Sequence, residues 1–227
     1  MPAVISGRSP GLYTFEGGTT RTLKSTPEGN ARARIQSGDA FGGKSVFRYA
    51  VDNCAYWLLE SDTLDPDVAV LATKGATIAN AINVADNKSA GASTIGSADA
   101  SAVTFAGDIT LAKDVVFEAA AGSTVNVTGE VVNEGGYGIG FAGLGTVRFS
   151  KGLDVTGLTI KVTIPADQVP TEEILRVTLA QGLTGQAAGV TVVTTDGSAV
   201  PASWVARQSG SKLVFRNKSV GLSLLVR

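Results

Sequence analysis

Two carboxylates, Asp108 and Glu130, stand one 22-residue period apart, with Arg148 further along the chain. On adjacent strands of one sheet, two such residues lie about 4.8 Å apart. Retaining glycosidases hold their two carboxyl groups roughly 5 to 5.5 Å apart. Polysaccharide-cleaving β-helices also place acids on an exposed strand face. Asp108 with Glu130 is therefore the pair from which an enzyme can be constructed. The competing reading is a solvated face, because outward positions of stacked strands line up whatever their role. That reading is preferred, and no catalytic residue is assigned.

Other candidates are weaker. Tyr49, Tyr56 and Trp57 form an aromatic cluster that could stack on sugars, although such a cluster in an apolar run is more often core. Asp62, Asp65 and Asp67 surround Pro66 and could hold a calcium ion, but the EF-hand spacing is missing. Gly135-Gly136-Tyr137-Gly138-Ile139-Gly140 is glycine-rich, yet no helical pattern follows to receive a phosphate, so it reads as a turn. Cys54 is the single cysteine, which excludes an internal disulfide, and its apolar neighbours suit a buried small side chain. The chain has no histidine, which removes Ser-His and Cys-His nucleophile pairs and histidine metal sites. No cofactor or metal is expected. Asn87, Asn126 and Asn217 head glycosylation sequons, which matter only in a eukaryotic secretory pathway.

The elements that position these residues follow from composition. The 227 residues include 28 glycines, and only 17% are charged, which suits short strands joined by tight turns. The net charge of −1 and scattered Lys and Arg give no basic stripe for nucleic acid. No apolar run approaches the roughly 18 residues of a membrane span. The opening Met1-Pro2-Ala3-Val4 lacks a secretory signal pattern, which implies a removed signal or a piece of a larger protein.

An internal repeat organises the middle. Val103-Thr104-Phe105-Ala106-Gly107-Asp108-Ile109 returns one period on as Val125-Asn126-Val127-Thr128-Gly129-Glu130-Val131. After a further period it returns as Val147-Arg148-Phe149-Ser150-Lys151-Gly152-Leu153. Apolar residues hold the first, third and seventh places each time. A second column, Ile95, Phe117 and Ile139, has the same period. An earlier copy, Ala76 to Ile82, has a longer, 27-residue offset, with the extra residues assigned to a loop over Asp86 to Ser93.

Alternation within each copy is strand periodicity. Stacking equivalent strands builds one continuous core, so the expected fold is an all-β parallel β-helix, a β-solenoid. Gly107 and Gly129 are expected at corners, through tolerance of positive φ. Lys151 breaks that column, which predicts a corner shifted by one residue.

The flanks do not follow this repeat. Residues 1–74 read as an irregular β-rich region or cap, 75–157 as the solenoid, and 158–227 as a β-rich C-terminal cap. Leu158 to Ile164 alternates cleanly, and Val169 to Leu175 suggests a short helical turn capped by Thr171. Lys212 to Arg216 and Leu222 to Val226 suggest a closing hairpin, since an open solenoid end exposes apolar core and strand edges.

Family-level features are carried by Thr77-Ile78-Ala79-Asn80-Ala81-Ile82-Asn83-Val84-Ala85-Asp86, Ala92-Ser93-Thr94-Ile95-Gly96, Val103 to Leu111 and Gly143 to Ser150. The stretch from Thr77 through Ser150 resembles the autotransporter-associated β-strand repeat of large secreted bacterial surface proteins. Trp204-Val205-Ala206 followed by Lys212 to Arg216 is similar to the ends of some of them. The resemblance implies a right-handed parallel β-helix, an extracellular or cell-surface location and no catalytic residues. One departure is that no membrane-inserting barrel follows the repeats.

The expected function is a non-enzymatic structural or adhesive module, such as a self-associating surface or fibre component, partnered by itself or by a neighbouring surface protein. The alternatives are a carbohydrate-active or carbohydrate-binding β-helix, with polysaccharide as partner, and a phage tail or spike segment.

Overall fold

A computed structural model describes residues 4–5, 32–36, 45–47, 56–60, 68–72, 75, 77–78, 81–84, 92–166, 176–198 and 200–217. The first strands in chain order are β1 (Val4–Ile5), β2 (Arg32–Gln36), β3 (Ser45–Phe47), β4 (Tyr56–Glu60), β5 (Val68–Ala72) and β6 (Thr77–Ile78). The middle holds β7 (Ala81–Val84), β8 (Ser93–Ser97), β9 (Ala102–Phe105), β10 (Ile109–Leu111), β11 (Val115–Glu118), β12 (Thr124–Val127), β13 (Val131–Asn133), β14 (Ile139–Ala142) and β15 (Thr146–Asp154). The last are β16 (Thr159–Ile164), β17 (Arg176–Thr184), β18 (Gly189–Thr194), β19 (Trp204–Ser209) and β20 (Lys212–Asn217). No α-helix occurs among the described residues.

The strands form three sheets. The first runs β1-β2-β4-β7-β10-β13, the second β18-β16-β14-β11-β8-β5-β3 and the third β19-β20-β17-β15-β12-β9-β6. Through the middle, successive strands visit the first, second and third sheets in turn, and neighbours within a sheet are parallel. This is the parallel β-solenoid that the repeat predicts. Each coil leaves one strand edge for the next coil to pair, which is why a short strand with one apolar face is stable here.

The register reproduces the repeat. Val103, Val125 and Val147 are neighbours, as are Phe105, Val127 and Phe149, and Ile109 pairs with Val131; the seventh-place column stops there, because the first sheet ends at β13 and Leu153 pairs with Leu183 in the third sheet. The longer offset of the earlier copy also holds, with Ile78 beside Phe105 and Ile82 beside Ile109. These columns are buried, Val131 only partly. Phe117 meets Phe149 edge-on, with ring centroids 5.0 Å apart, and Phe141 lies 6.1 Å from Phe117. Such pairs add about 0.5–1.5 kcal/mol beyond area burial.

The second column is corrected at one place. Ile95 pairs with Phe117, but Phe117 then pairs with Phe141, while Ile139 pairs with Val115. The link from β13 to β14 is longer than its counterpart one coil earlier, and the link from β14 to β15 is shorter by the same amount. The coil length is unchanged, so the period continues in the third sheet.

The corner glycines are also corrected in mechanism. Gly107 and Gly129 are not among the positive-φ glycines. A Cβ on Gly129 would overlap the Gly107 carbonyl group. Glycine is needed at 129 because one coil's backbone runs against the next. The corner expected to shift at Lys151 is instead absent: β15 runs on through Lys151 and Gly152 in the third sheet, with Gly152 at φ +90° and the β15–β17 register slipping between Arg148 and Leu153.

The flanks join the same sheets. β1, β2 and β4 extend the first sheet in parallel, and β3 and β5 extend the second. At the other end β16 and β18 continue the second sheet, and Ile160, Val162 and Ile164 are buried. The C-terminal hairpin differs from expectation. β20 pairs with β17 on one side and β19 on the other, both antiparallel, so both of its edges are taken. Leu222 to Val226 and the predicted turn at Val169 to Leu175 lie outside the described residues.

Candidate functional site

Asp108 and Glu130 precede β10 and β13, one coil apart, at the corner between the third and first sheets. The structure brings them together through the backbone. The Glu130 N–H donates to Asp108 Oδ1 at 2.8 Å. The cation beside Asp108 is Lys151, with Nζ 3.7 Å from the same oxygen, rather than Arg148. Both side chains of that ion pair are more than half exposed, so it contributes little, about 0–1 kcal/mol. Arg148 stands on β15 in register with Asn126, on the exposed side of the third sheet.

This geometry makes Asp108 a clasp between coils. General acids of glycosidases work from an apolar, water-poor pocket. Asp108 and Glu130 are instead exposed, and one Asp108 oxygen is committed to a backbone donor.

A second clasp was not found from sequence. Asp114 follows β10, and its Oδ1 accepts the Gly138 N–H at 2.7 Å. Thus aspartates at both ends of β10 reach forward to the next coil. The signal lies in the pattern Asp108-Ile109-Thr110-Leu111-Ala112-Lys113-Asp114, where an acid flanks each end of one strand.

The glycine-rich segment is a turn only in its first part, since Ile139 and Gly140 open β14. The Asn133 carboxamide holds it from both sides: Nδ2 donates to the Tyr137 carbonyl at 2.9 Å, and the Tyr137 N–H donates to Oδ1 at 2.8 Å. The Tyr137 ring lies over Gly135, whose hypothetical Cβ would be 2.6 Å from it.

Of the aromatic candidates, Tyr49 lies outside the described residues. Tyr56 and Trp57 fall in β4, in register with Ala81 and Ile82. Asp62, Asp65, Asp67 and Cys54 lie outside the described residues. Among the described residues no group of three or more His, Cys, Asp or Glu is placed to hold a metal. No described helix is long and apolar enough to cross a membrane.

The outward positions are aligned rows. Thr104, Asn126, Arg148 and Gln181 form one row, and Val116, Gly140, Lys161 and Thr191 another. Asn83, Thr110 and Val132 form a third, where Val132 is the exposed large hydrophobic residue among the described ones. Rows of small polar and β-branched side chains can offer repeated hydrogen bonding and flat contact to an extended partner.

The C-terminal end carries a different arrangement. Trp204 stacks on Phe215, with ring centroids 5.2 Å apart, and both are buried with Leu213. The Gln208 carboxamide reaches back to the last corner. Its Oε1 accepts the Ala187 N–H at 2.9 Å, and its Nε2 donates to the Gly185 carbonyl at 2.8 Å.

Comparison of the chain with protein-family models, with curated proteins and with solved structures finds no match.

Proposed function

We propose that the chain is a structural or adhesive module without catalytic activity, working in the extracellular or cell-surface space. The observation that supports this best is the use of the chemically capable residues as joints of the stack. Asp108, Asp114 and Asn133 all spend their polar atoms on backbone of the next coil or of their own turn. The sheets add coils in one direction, which yields a stiff element with long, regular outer rows. Such an element suits a stalk, a surface coat or a contact with a neighbouring surface protein. The likeness of Thr77 through Ser150 to autotransporter-associated repeats points to the same setting.

The test is a panel of polysaccharides and bacterial surface preparations, assayed for cleavage and for retention of the purified chain. The reading predicts retention on a surface or association with like chains, and no turnover. Cleavage of any polysaccharide contradicts it, and so does a chain that binds no surface and stays monomeric at every concentration.

A further inference from the structure

We propose that the outer face of the third sheet is a binding surface for an extended acidic polysaccharide, which lies across the strands along the solenoid axis. This names the chemistry of the partner in the proposed surface adhesion and rests on that reading.

The surface is built on one unbroken polar row. Thr77, Thr104, Asn126, Arg148, Gln181 and Lys212 stand side by side on β6, β9, β12, β15, β17 and β20. Val103, Val125, Val147, Ala180 and Leu213, each next to a row residue in the chain, are in the core, so the row faces away from it. Neighbouring strands lie about 4.8 Å apart, so the row runs roughly 24 Å. Among the described residues no hydrogen bond or ion pair occupies the side chains of Thr104, Arg148, Gln181 or Lys212.

One end of the row is strongly cationic. Lys212 and Arg216 alternate along β20 with the core residues Leu213 and Phe215. Arg176 stands opposite Arg216, and Arg207 opposite Val214, so with Arg148 these cations share one face. They are scattered from 148 to 216 in a chain of net charge −1, and the fold gathers them. The carboxylate on the described strands of this sheet is Asp154, beyond the register slip of β15, and its Oδ1 accepts from Thr156. Like charges directly opposite on paired strands are destabilising, so Arg176 and Arg216 repel until an anion comes between them. Arg216 Nε is buried without a hydrogen-bond partner. A guanidinium grips a carboxylate through two parallel hydrogen bonds, which suits an acidic sugar.

The neutral part of the row selects the class of polyanion. Thr104, Asn126 and Gln181 offer donors and acceptors to sugar hydroxyls beside the cations. Insertion into a lipid surface needs exposed apolar side chains. Val214, between Lys212 and Arg216, is buried, and the exposed large hydrophobic residue among the described ones, Val132, belongs to the first sheet. Single-stranded nucleic acid is held by stacking on aromatic side chains, and the row contains none.

The test measures binding of the full chain to polygalacturonate by isothermal titration calorimetry at physiological salt, with dextran as the neutral polysaccharide and double-stranded DNA as a polyanion of another class. Polygalacturonate is expected to bind and dextran is not. Arg148→Gln, Arg207→Gln and Lys212→Gln, at exposed positions, are each expected to weaken binding by about fivefold, with the circular dichroism of the wild type. Asn126→Ala is expected to weaken it by about twofold. A wild-type chain that does not bind polygalacturonate overturns the inference, as do charge variants that bind it like the wild type, or DNA bound more tightly than the polysaccharide. Equal retention of wild type and charge variants on bacterial surface preparations also overturns this surface while leaving the proposed function standing, so the two failures are distinguishable.

Discussion

The carboxylate of Asp108 accepts the backbone N–H of Glu130 at 2.8 Å, joining one coil to the next at an exposed corner. A hydrogen bond to a charged acceptor contributes roughly 1.5–3 kcal/mol when protected and less in water. Asp108→Ala should therefore lower stability by about 1 kcal/mol in urea unfolding. Asp108→Asn, which keeps an acceptor oxygen, should cost less. Glu130→Gln should leave stability nearly unchanged, because Glu130 contributes its backbone to this bond. If instead Glu130→Gln abolished a polysaccharide-cleaving activity, the pair would be catalytic.

Corner glycines separate two causes. Gly129→Ala drives a methyl group into the Gly107 carbonyl. Backbone is not free to yield, so a loss of about 3 kcal/mol or more, or failure to fold, is expected. Gly189 has open space at its Cβ position and no positive φ. Gly189→Ala should be neutral or stabilise by up to about 1 kcal/mol, through the entropy of the unfolded chain. Thermal denaturation of the two variants checks both.

Two inward serines of β8 should respond with opposite sign. Ser93 Oγ is buried without a hydrogen-bond partner. Its neighbour in register is Val115, and Val115 pairs with Ile139, so the column is otherwise apolar. Ser93→Ala removes an unsatisfied hydroxyl and should be neutral or stabilising by about 1 kcal/mol. Ser97 Oγ lies 2.7 Å from Ser123 Oγ and accepts the Ala120 N–H at 3.1 Å. Ser97→Ala leaves those groups without this partner and should cost about 1–3 kcal/mol. Denaturant midpoints at constant m-value decide.

Acid should loosen one turn. The Asp196 carboxyl is held down at about 2, first by the Ser198 hydroxyl and then by the Ser198 backbone N–H. Its folded value lies below the ordinary carboxylate value of 3.8. The turn is therefore fully supported above about pH 4, and the support is lost as pH falls through about 2. The Ser198 amide resonance should titrate with that midpoint, and Asp196→Asn should abolish the titration. A midpoint near the ordinary carboxylate value would contradict the hydrogen-bonded turn. The Asp154 carboxyl is lowered in the same sense by the Thr156 hydroxyl.

What could be read from the chain follows from how each feature is encoded. The columns through Val103 and Phe105 were legible because equal spacing of apolar residues is itself the signal for stacked strands, whereas the same spacing wrongly set Leu153 after Ile109 and Val131. The exchange of Ile139 for Phe141 beside Phe117 was not legible, because a gain and an equal loss of chain length cancel within one coil. The N-terminal strands have no common period. Arg32 pairs with Tyr56, Tyr56 with Ala81 and Val4 with Arg34, and these three pairs all differ in spacing. The placement of Asp108 beside Glu130 came from the repeat, but its use as a clasp depends on a backbone donor that no side-chain pattern records. Gln208 was missed for the same reason, since its partners are main-chain groups of Gly185 and Ala187.

The most direct test is nuclear Overhauser spectroscopy of the deuterated, labelled chain, reading backbone contacts between coils. Parallel stacking predicts contacts linking Val103 to Val125, Val125 to Val147 and Phe117 to Phe141, with the antiparallel pattern confined to β17, β20 and β19 among the described strands. Antiparallel contacts between the Val103 and Val125 segments, or no contacts at the spacing of the repeat, would contradict the solenoid and every functional inference built on it.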